Sequence, residues 1–481
     1  MGTETAVNRP RLRPHVVGIV GALTGTLLSC QGSVEPTPTP VPSATPTPTP
    51  APRWNVVLLI SDDMNISLGC YGDAQARTPR IDALAARGQR FNRAYCAYPL
   101  CNPSRSSFLT GLYPDSIGDQ SDGSSLRALR PGVVSLPQLF RRNGYYTAGI
   151  SKVFHDAPGM DNTGEWEYSA DYSNTPLGDK GQGRDLTPAG PFVPCRWLAA
   201  DGTDDDQRDG QVARGAIAVL EHRPIDRPFF IGVGFNKPHE PYAAPRAYFD
   251  QFPPAGIRIR PKYAHDRDNV PRPALSEPYP FTDDEARELL RAYYASASFM
   301  DGQVGRVLDA LDRLGLTSTT IVVFLGDNGL HLGEFELWSK GSLFDVSTHV
   351  PLIIAGPGIS GGRVSQRTVE LAGLYATLAN LCGLPLANPV DGASLTPLLV
   401  DPQASWTPAY VQTRQVGATG HSVVTEQWRY TEWDNGTKGT ELYDRERDPG
   451  EHANLASGTT QAAAIAQLRT LLRQRWPATS P

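Results

Sequence analysis

Two pairs of oxygen-bearing side chains stand directly after apolar runs of this sequence. Asp62-Asp63 follows the run at residues 54–60, and Asp327-Asn328 follows the run at 320–325. Adjacent carboxylates beside a buried strand repel each other and lose hydration. A hard cation such as Ca²⁺ or Mg²⁺, which takes oxygen ligands, relieves both costs. Either pair alone is better explained as a helix or turn cap, but two pairs at equivalent strand ends favour a metal site.

A third group of residues, Cys101-Asn102-Pro103-Ser104-Arg105, combines a nucleophile with a permanent cation. Pro103 suits the first turn of a helix, and Gly111 suits its end. Cys101 would then stand at a helix N-terminus, where free amides and the helix dipole favour anions. A plain buried or disulfide-bonded cysteine is the alternative interpretation.

The elements that must position these groups follow from the hydrophobic pattern. Continuous apolar runs at 54–60, 228–235, 320–325 and 350–355 have the length of strands that are covered on both faces. Between them lie helical patterns at 80–87, 135–143, 211–222 and 283–314, the last long enough for two helices. Strands that alternate with helices predict an α/β fold with a large, mostly parallel sheet flanked by helices. Ligands bind such sheets at the carboxyl ends of the strands.

The C-terminal part has a different pattern. Strand-like pieces at 409–414, 421–433 and 440–443 precede a helical pattern at 459–474. This order predicts a small α+β subdomain. We therefore expect a catalytic domain at 53–400 and a C-terminal subdomain at 401–481.

The N-terminus has the pattern of an export signal. Three arginines precede the uncharged stretch 16–28, which is shorter than the roughly 20 residues that span a bilayer. Leu28-Ser29-Cys30 is typical of a bacterial lipoprotein cleavage site, although Leu28 is an imperfect fit, and ordinary signal cleavage is the alternative. We expect a signal peptide at 1–30 and, from its Pro/Thr-rich composition, an extended linker at 31–52. The exported protein would be tethered to the cell envelope by lipid on Cys30 alone, or would be secreted or periplasmic.

The net charge bears on the class of partner, and the cysteine content bears on possible disulfides. The 481 residues carry 44 Lys and Arg against 50 Asp and Glu, a formal net charge of −6. No long basic run is present, so we expect no nucleic-acid partner. Four further cysteines can pair in an exported protein or remain buried thiols, namely Cys70, Cys96, Cys195 and Cys382.

The motifs around these groups resemble the type I, formylglycine-dependent sulfatases of the alkaline phosphatase superfamily. The resemblance rests on Cys-x-Pro-Ser-Arg at 101–105 with Thr-Gly-Leu-Tyr-Pro at 110–114, Lys-Val-Phe-His at 152–155, Lys-Pro-His-Glu-Pro at 237–241, Gly-Asp-Asn-Gly at 326–329, Trp-Ser-Lys at 338–340 and a Tyr-Asp…Asp-Pro…Glu…Asn-Leu element at 443–455. The most similar branch is that of the iduronate-2-sulfatases, on the segments 294–301 and 344–352.

The resemblance implies a cofactor and its ligands. Cys101 would be oxidised by a maturation enzyme to Cα-formylglycine, whose hydrated form is the nucleophile. One Ca²⁺ would be held by an oxygen of that modified residue together with Asp62, Asp63, Asp327 and Asn328.

The resemblance also implies roles for five other side chains. Arg105 would reach the diol and the metal carboxylates. Lys152 and Lys340 would bind the sulfate oxygens. His155 would orient or deprotonate the diol, and His239 would help to protonate the leaving oxygen, a role that Lys340 could share. A lone Lys or His on a loop is usually a solvated surface residue, so only the joint pattern supports these assignments.

The implied substrate is a sulfated carbohydrate or another small sulfate ester such as choline sulfate, first of all a uronate 2-O-sulfate of glycosaminoglycan type. One departure bears on this, because the iduronate-2-sulfatase branch usually carries Asp-His where this chain has Asp327-Asn328. We expect residues 156–209 to form long loops over the pocket mouth, where specificity resides. Four further side chains are candidates for the substrate cleft without a defined role, namely Glu240, Arg246, His331 and His349.

Two alternatives remain at this stage. A phosphonate monoester or phosphodiester hydrolase on the same scaffold would share the segment around Cys101. A lipoprotein that binds sulfated glycans without hydrolysing them would need an unmodified Cys101 or an empty metal site.

Overall fold

The structure is a computed structural model that describes residues 53–155, 163–172 and 178–477. The expected signal peptide and linker, residues 1–52, lie outside the described residues. The described strands are β1 (Asn55–Asp62), β2 (Gln89–Tyr95), β3 (Tyr146–Ser151), β4 (Tyr168–Ala170), β5 (Gly181–Asp185), β6 (Arg196–Ala200), β7 (Phe229–Pro238), β8 (Tyr242–Pro245), β9 (Thr320–Gly326), β10 (His349–Ala355), β11 (Arg363–Glu370), β12 (Ala409–Gln415), β13 (Ala418–Val424), β14 (Trp428–Trp433) and β15 (Thr440–Asp444).

The described helices surround these strands. They are α1 (Pro79–Arg87), α2 (Cys101–Thr110), α3 (Pro114–Ile117), α4 (Leu126–Leu129), α5 (Leu136–Arg142), α6 (Arg208–His222), α7 (Arg246–Phe249), α8 (Asp283–Arg313), α9 (Asp345–Thr348), α10 (Leu374–Leu381), α11 (Thr396–Val400) and α12 (Ala462–Arg475). No helix in this part of the chain is both apolar enough and long enough to cross a membrane.

The central sheet has the strand order β11-β2-β10-β9-β1-β7-β3-β4. β1 pairs in parallel with β7 and β9, and β3 pairs in parallel with β7. The prediction of a mostly parallel sheet is confirmed, with one difference. β10, the run expected at 350–355, is antiparallel to both β9 and β2, because an apolar run specifies burial and carries no information on direction.

Burial on both faces explains the unbroken apolar runs. In β1, Val56, Leu58 and Ile60 pack into one core cluster, whereas Val57 and Leu59 pack into the other. Successive side chains of a strand point to opposite faces, so both sets must be apolar when helices cover both sides.

The long helical pattern at 283–314 forms one helix. α8 is continuous from Asp283 to Arg313, and its N-terminus carries a capping box between Thr282 and Glu285. The alternative division into two helices is therefore wrong.

The C-terminal part contains an antiparallel sheet in the order β12-β13-β14-β15, followed by α12. This confirms the α+β pattern. The piece expected at 421–433 is two strands, β13 and β14, because the chain turns between Val424 and Trp428.

The segment expected as loops at 156–209 is partly regular. β5 and β6 form a small sheet with β8, and β4 extends the central sheet; residues 156–162 and 173–177 lie outside the described residues. β5 is exposed along its whole length, so its sequence lacks the apolar alternation of a strand. The four cysteines whose pairing was open are free thiols, namely Cys70, Cys96, Cys195 and Cys382.

Candidate active site

Four neighbouring parallel strands end at one edge of the central sheet and carry most of the predicted site. The adjacent order β9-β1-β7-β3 places their carboxyl ends side by side, where open α/β sheets bind ligands. Each strand delivers its own side chains at or just beyond its end, namely Asp327 and Asn328 from β9, Asp62 and Asp63 from β1, Asn236 and His239 from β7, and Lys152 and His155 from β3.

Cys101 faces these strand ends from the first position of α2. Its Sγ atom lies 3.2 Å from Oδ1 of Asp62 and 3.8 Å from Oδ1 of Asp63, and the residue is only 1% exposed. Burial, and next the charge of Asp62, raise the pKa of the thiol well above its usual value. An unmodified Cys101 therefore stays protonated and is a poor nucleophile.

Arg105 links α2 to two of the strand ends. It lies four residues beyond Cys101, on the same face of the helix, and is completely buried. Its Nε donates to Oδ2 of Asp327 at 2.8 Å, and its Nη2 donates to Oδ1 of Asp62 at 3.2 Å. Burial opposes the charged form of Arg105, but these carboxylates outweigh it and raise its pKa.

Two ammonium groups flank the sulfur of Cys101. Nζ of Lys340 lies 2.7 Å from Sγ and also contacts Asp63. Nζ of Lys152 lies 3.9 Å from Sγ and donates to Oδ2 of Asp62 at 2.6 Å. An anionic group placed at Cys101 would therefore meet two fixed positive charges.

The carboxylates at the strand ends form a cluster that suits a hard cation. Oxygens of Asp62, Asp63 and Asp327 lie within 4.8 Å of one another. Oδ1 of Asn328 is buried and has no hydrogen-bond partner among the residues that the structure describes. Burial raises the pKa of Asp327 to about 7, and the neighbouring charges of Asp62 and Asp63 act in the same direction against Arg105. Three carboxylates and one orphaned amide oxygen are the donor set that Ca²⁺ or Mg²⁺ takes.

Both predicted histidines lie close to Cys101, each with a ring nitrogen within 4.8 Å of Sγ. Nε2 of His239 is 3.8 Å from Oδ2 of Asp63, and its Nδ1 is 2.6 Å from the backbone oxygen of Glu240. Burial, and next the charge of Lys152, lower the pKa of His155 to about 4. His155 is therefore neutral at pH 7 and able to accept a proton.

The four side chains without a defined role have structural partners. His349 bonds Asp345 at 2.9 Å and the Asn92 backbone oxygen at 2.7 Å, so it supports the start of β10. His331 bonds Oγ of Ser342 at 2.7 Å. Arg246 pairs with Asp201 and Glu240 with Arg196, at 2.8 and 3.6 Å.

The C-terminal sheet supports the site from outside. Oγ1 of Thr413 in β12 donates to the backbone oxygen of Gly341 at 2.9 Å, directly beside Lys340. Arg429 of β14 is 1% exposed and bridges Glu451 at 2.6 Å and Asp345 at 2.8 Å. A buried ion pair thus joins this sheet to the segment before β10.

Sequence reasoning missed two polar residues of the site. Nδ2 of Asn236 donates to Oδ2 of Asp62 at 3.3 Å; its position just before the Lys-Pro-His motif was the available signal. An oxygen of Asp122 lies within 4.8 Å of both Sγ of Cys101 and a ring nitrogen of His155. Nothing in the sequence around Asp122 separates it from an ordinary loop aspartate.

Two protein-family models and several known proteins match this chain. Residues 54–384 match the family model described as Sulfatase, and residues 333–476 match that of the N-sulphoglucosamine sulphohydrolase C-terminal region. The iduronate 2-sulfatase of Mus musculus is 34% identical over 386 residues, which cover 69% of each chain.

Two solved structures have the same fold. A structure described as a 2-O GAG sulfatase is 25% identical with a TM-score of 0.70, and the match covers 88% of this chain and 92% of that one. The phosphonate monoester hydrolase of Agrobacterium radiobacter is 22% identical with a TM-score of 0.73, over 88% and 96% of the two chains. The latter similarity is one of fold alone.

The buried cysteine, the carboxylate cluster and the cations around them stand on an alkaline-phosphatase-like sulfatase fold, and the chain belongs to the sulfatase family. Within it, the chain is a type I sulfatase and a sulfuric ester hydrolase.

Proposed function

We propose that this sulfatase uses a formylglycine derived from Cys101 as its nucleophile and one bound Ca²⁺ as its metal. The observation that carries the proposal is the position of Sγ, which lies within 3.9 Å of both ammonium groups and of the carboxylates of Asp62 and Asp63. A protonated thiol gains little from that environment. A hydrated aldehyde supplies two hydroxyls on one carbon, so one can attack sulfur and the other can expel sulfate as the aldehyde re-forms.

The residues around position 101 then have distinct tasks. Lys152 and Lys340 hold the sulfate oxygens and reduce the repulsion between the anion and the attacking hydroxyl. Arg105 fixes the carboxylates and the start of α2 in one arrangement. His155 takes a proton from the diol, and His239, on the side of Asp63, protonates the leaving oxygen.

The metal would be held by Asp62, Asp63, Asp327 and Asn328, with an oxygen of the modified Cys101. When bound, the ion polarises the sulfate and lowers the pKa of the diol. The choice of Ca²⁺ is supported by the all-oxygen donor set, since Ca²⁺ accepts carboxylate and amide oxygens in flexible geometry.

The proposed substrate is a sulfated sugar, with uronate 2-O-sulfate first. Support comes from the similarity to an iduronate 2-sulfatase and to a structure described as a 2-O GAG sulfatase. Activity on a panel of sulfated disaccharides that differ only in sulfate position tests this choice. Turnover of the 2-O-sulfated uronate should exceed that of N- or 6-O-sulfated glucosamine by at least tenfold. Equal turnover would contradict the assignment.

The proposal includes export and maturation. The signal pattern at 1–30 and the Pro/Thr-rich linker at 31–52 support export. The catalytic domain at 53–400 and the subdomain at 401–481 would then be carried on a lipid anchor at Cys30 or released by ordinary signal cleavage. The chain cannot oxidise its own Cys101, so a formylglycine-generating enzyme is a required partner.

A side-by-side assay tests the reaction type against the main alternative. Protein matured with the formylglycine-generating enzyme is given 4-nitrophenyl sulfate, bis(4-nitrophenyl) phosphate and 4-nitrophenyl phenylphosphonate, with Cys101→Ala as the blank. We expect sulfate hydrolysis to give the highest kcat/KM. Phosphodiester or phosphonate turnover equal to or above sulfate turnover would favour the phosphonate hydrolase alternative. An unmodified Cys101 after expression in the native host, or no turnover of matured protein, would favour the glycan-binding alternative.

A further inference from the structure

Asp122 lies close to Cys101, in the connection between α3 and α4. One of its carboxylate oxygens, Sγ of Cys101 and a ring nitrogen of His155 lie within 4.8 Å of one another. Oδ1 of Asp122 accepts the backbone N–H of Asn102 at 3.0 Å, at the start of α2. The carboxylate therefore contacts the helix that presents the nucleophile and stands close to the expected base.

The connection around Asp122 is held in place by the residue next to Cys101. Nδ2 of Asn102 donates to the backbone oxygens of Ser121 at 2.9 Å and Ser124 at 2.7 Å, on either side of Asp122. The same amide donates to the buried carboxylate of Asp119 at 3.0 Å. The side chain of Asn102 thus fixes the loop, and its backbone N–H binds the carboxylate of Asp122. The carboxylate therefore has a defined position relative to Cys101.

The charges that face His155 differ in sign. Lys152 and Arg105 oppose protonation of the imidazole, whereas Asp122 and Asp62 favour it. Of these two carboxylates, Asp62 is already bonded to both Lys152 and Arg105. Asp122 has no ion-pair partner among the salt bridges of the described residues and is only partly buried. The charge of Asp122 is therefore available to compensate a positive charge on His155.

We propose that Asp122 is the positioning residue of His155 in the step that releases sulfate. This inference rests on the proposed function. After the alcohol has left, sulfate is bonded to one oxygen of the former diol. His155 takes the proton of the other hydroxyl, that oxygen forms the C=O bond of the aldehyde, and the C–O bond to sulfate breaks with its electron pair on sulfate. The carboxylate of Asp122 holds the imidazole toward position 101 and stabilises the imidazolium that forms.

Asp122→Asn separates the charge from the structural contact, because the amide oxygen can still accept the N–H of Asn102. Ser121→Ala is the matched control, since it changes the same loop and its hydroxyl bonds only Ser124 in the described contacts. Both variants are matured, and turnover is expressed per formylglycine measured by peptide mass. Thermal unfolding checks that Asp122→Asn keeps the fold.

With 4-nitrophenyl sulfate, we expect the steady-state kcat of Asp122→Asn to fall about 10- to 100-fold, by analogy with the loss of the carboxylate that supports a metal-ligating histidine. The slow step would be sulfate release, so a burst of nitrophenol approaching one equivalent per formylglycine should precede it. Acid-quenched protein should carry sulfate on the residue-101 peptide. Ser121→Ala should show neither effect.

Turnover of Asp122→Asn within twofold of the parent, or a fall without a burst and without sulfated peptide, would overturn the inference. Failure of the proposed function has a different signature. In that case the parent protein itself would lack formylglycine or would not hydrolyse the sulfate ester.

Discussion

Replacing Lys340 with Met should slow turnover and at the same time tighten metal binding. Nζ of Lys340 lies 2.7 Å from Sγ of Cys101 and contacts Asp63. The ammonium group therefore serves the anionic substrate and also neutralises a carboxylate of the proposed metal cluster. The three carboxylates at the strand ends are paired with three cations, of which Arg105 and Lys152 are buried and Lys340 is partly buried. Met is close to Lys in length, so the change removes the charge with little change in volume.

The two effects have different magnitudes. Loss of one preorganised cation or donor to the developing charge costs about 10²–10³ in kcat, or about 3–4 kcal/mol. For the metal, a doubly charged ion and an ammonium group about 5 Å apart repel each other by about 7 kcal/mol at an effective dielectric constant of 20. Part of this is lost to relaxation of the site, so removing the ammonium should improve the Ca²⁺ Kd by about 10- to 100-fold.

The assay measures both quantities on the same protein. Ca²⁺ affinity is measured by calorimetric titration after chelation, and kcat with 4-nitrophenyl sulfate at saturating Ca²⁺. Lys262→Met is the matched control, because Lys262 is an exposed partner of Asp283. A Lys340→Met protein that binds Ca²⁺ more weakly than the parent would refute the electrostatic reasoning. Unchanged kcat would refute the role in sulfate binding.

Three other predictions follow from buried polar groups. Asn328→Leu should weaken Ca²⁺ binding at least tenfold in the same titration, because it removes the orphaned amide oxygen; parent-like affinity would exclude that oxygen as a ligand. Arg429→Met removes the cation between the buried Glu451 and the partly buried Asp345, which should cost about 3–5 kcal/mol of stability, read as a lower Tm; Arg447→Met, at an exposed position, should leave Tm unchanged. Burial lowers the pKa of His331 to about 4, below about 6.5 in the unfolded chain. The contribution of neutral His331 to the free energy of unfolding is therefore complete above pH 6.5. It is lost as the pH falls from about 6.5 to 4, by about 3 kcal/mol in all. A His331→Gln protein should lose Tm less steeply over that range, and an equal slope would contradict the assignment.

The strands at the site were predictable because burial on both faces leaves a clear signal. The runs that became β1, β7, β9 and β10 are almost uniformly apolar, and two of them end in oxygen-bearing residues. The direction of β10 was not predictable, because it depends on the path of the connection from β9 to β10, residues 327–348, and not on the strand itself. β5 was missed for the opposite reason, since an exposed strand needs no apolar side chains.

Some residues of the site were predictable from the sequence itself, and others were not. The carboxylate pairs and Cys101 stand out by residue type and by their neighbours. Lys152, His155, His239 and Lys340 were predicted only through resemblance, because a single cation on a loop has no local signal. Asp122 was missed because its proximity to His155 arises from the clamp of Asn102 on a neighbouring loop, which is a tertiary contact.

The chemical state of Cys101 tests the central claim most directly. Protein produced with graded amounts of the maturation enzyme should show sulfate ester hydrolysis in proportion to the fraction of residue 101 that peptide mass identifies as formylglycine. Extrapolation to zero conversion should give no activity above that of Cys101→Ala. Full activity with an unmodified thiol, or none with complete conversion and Ca²⁺ present, would contradict the claim.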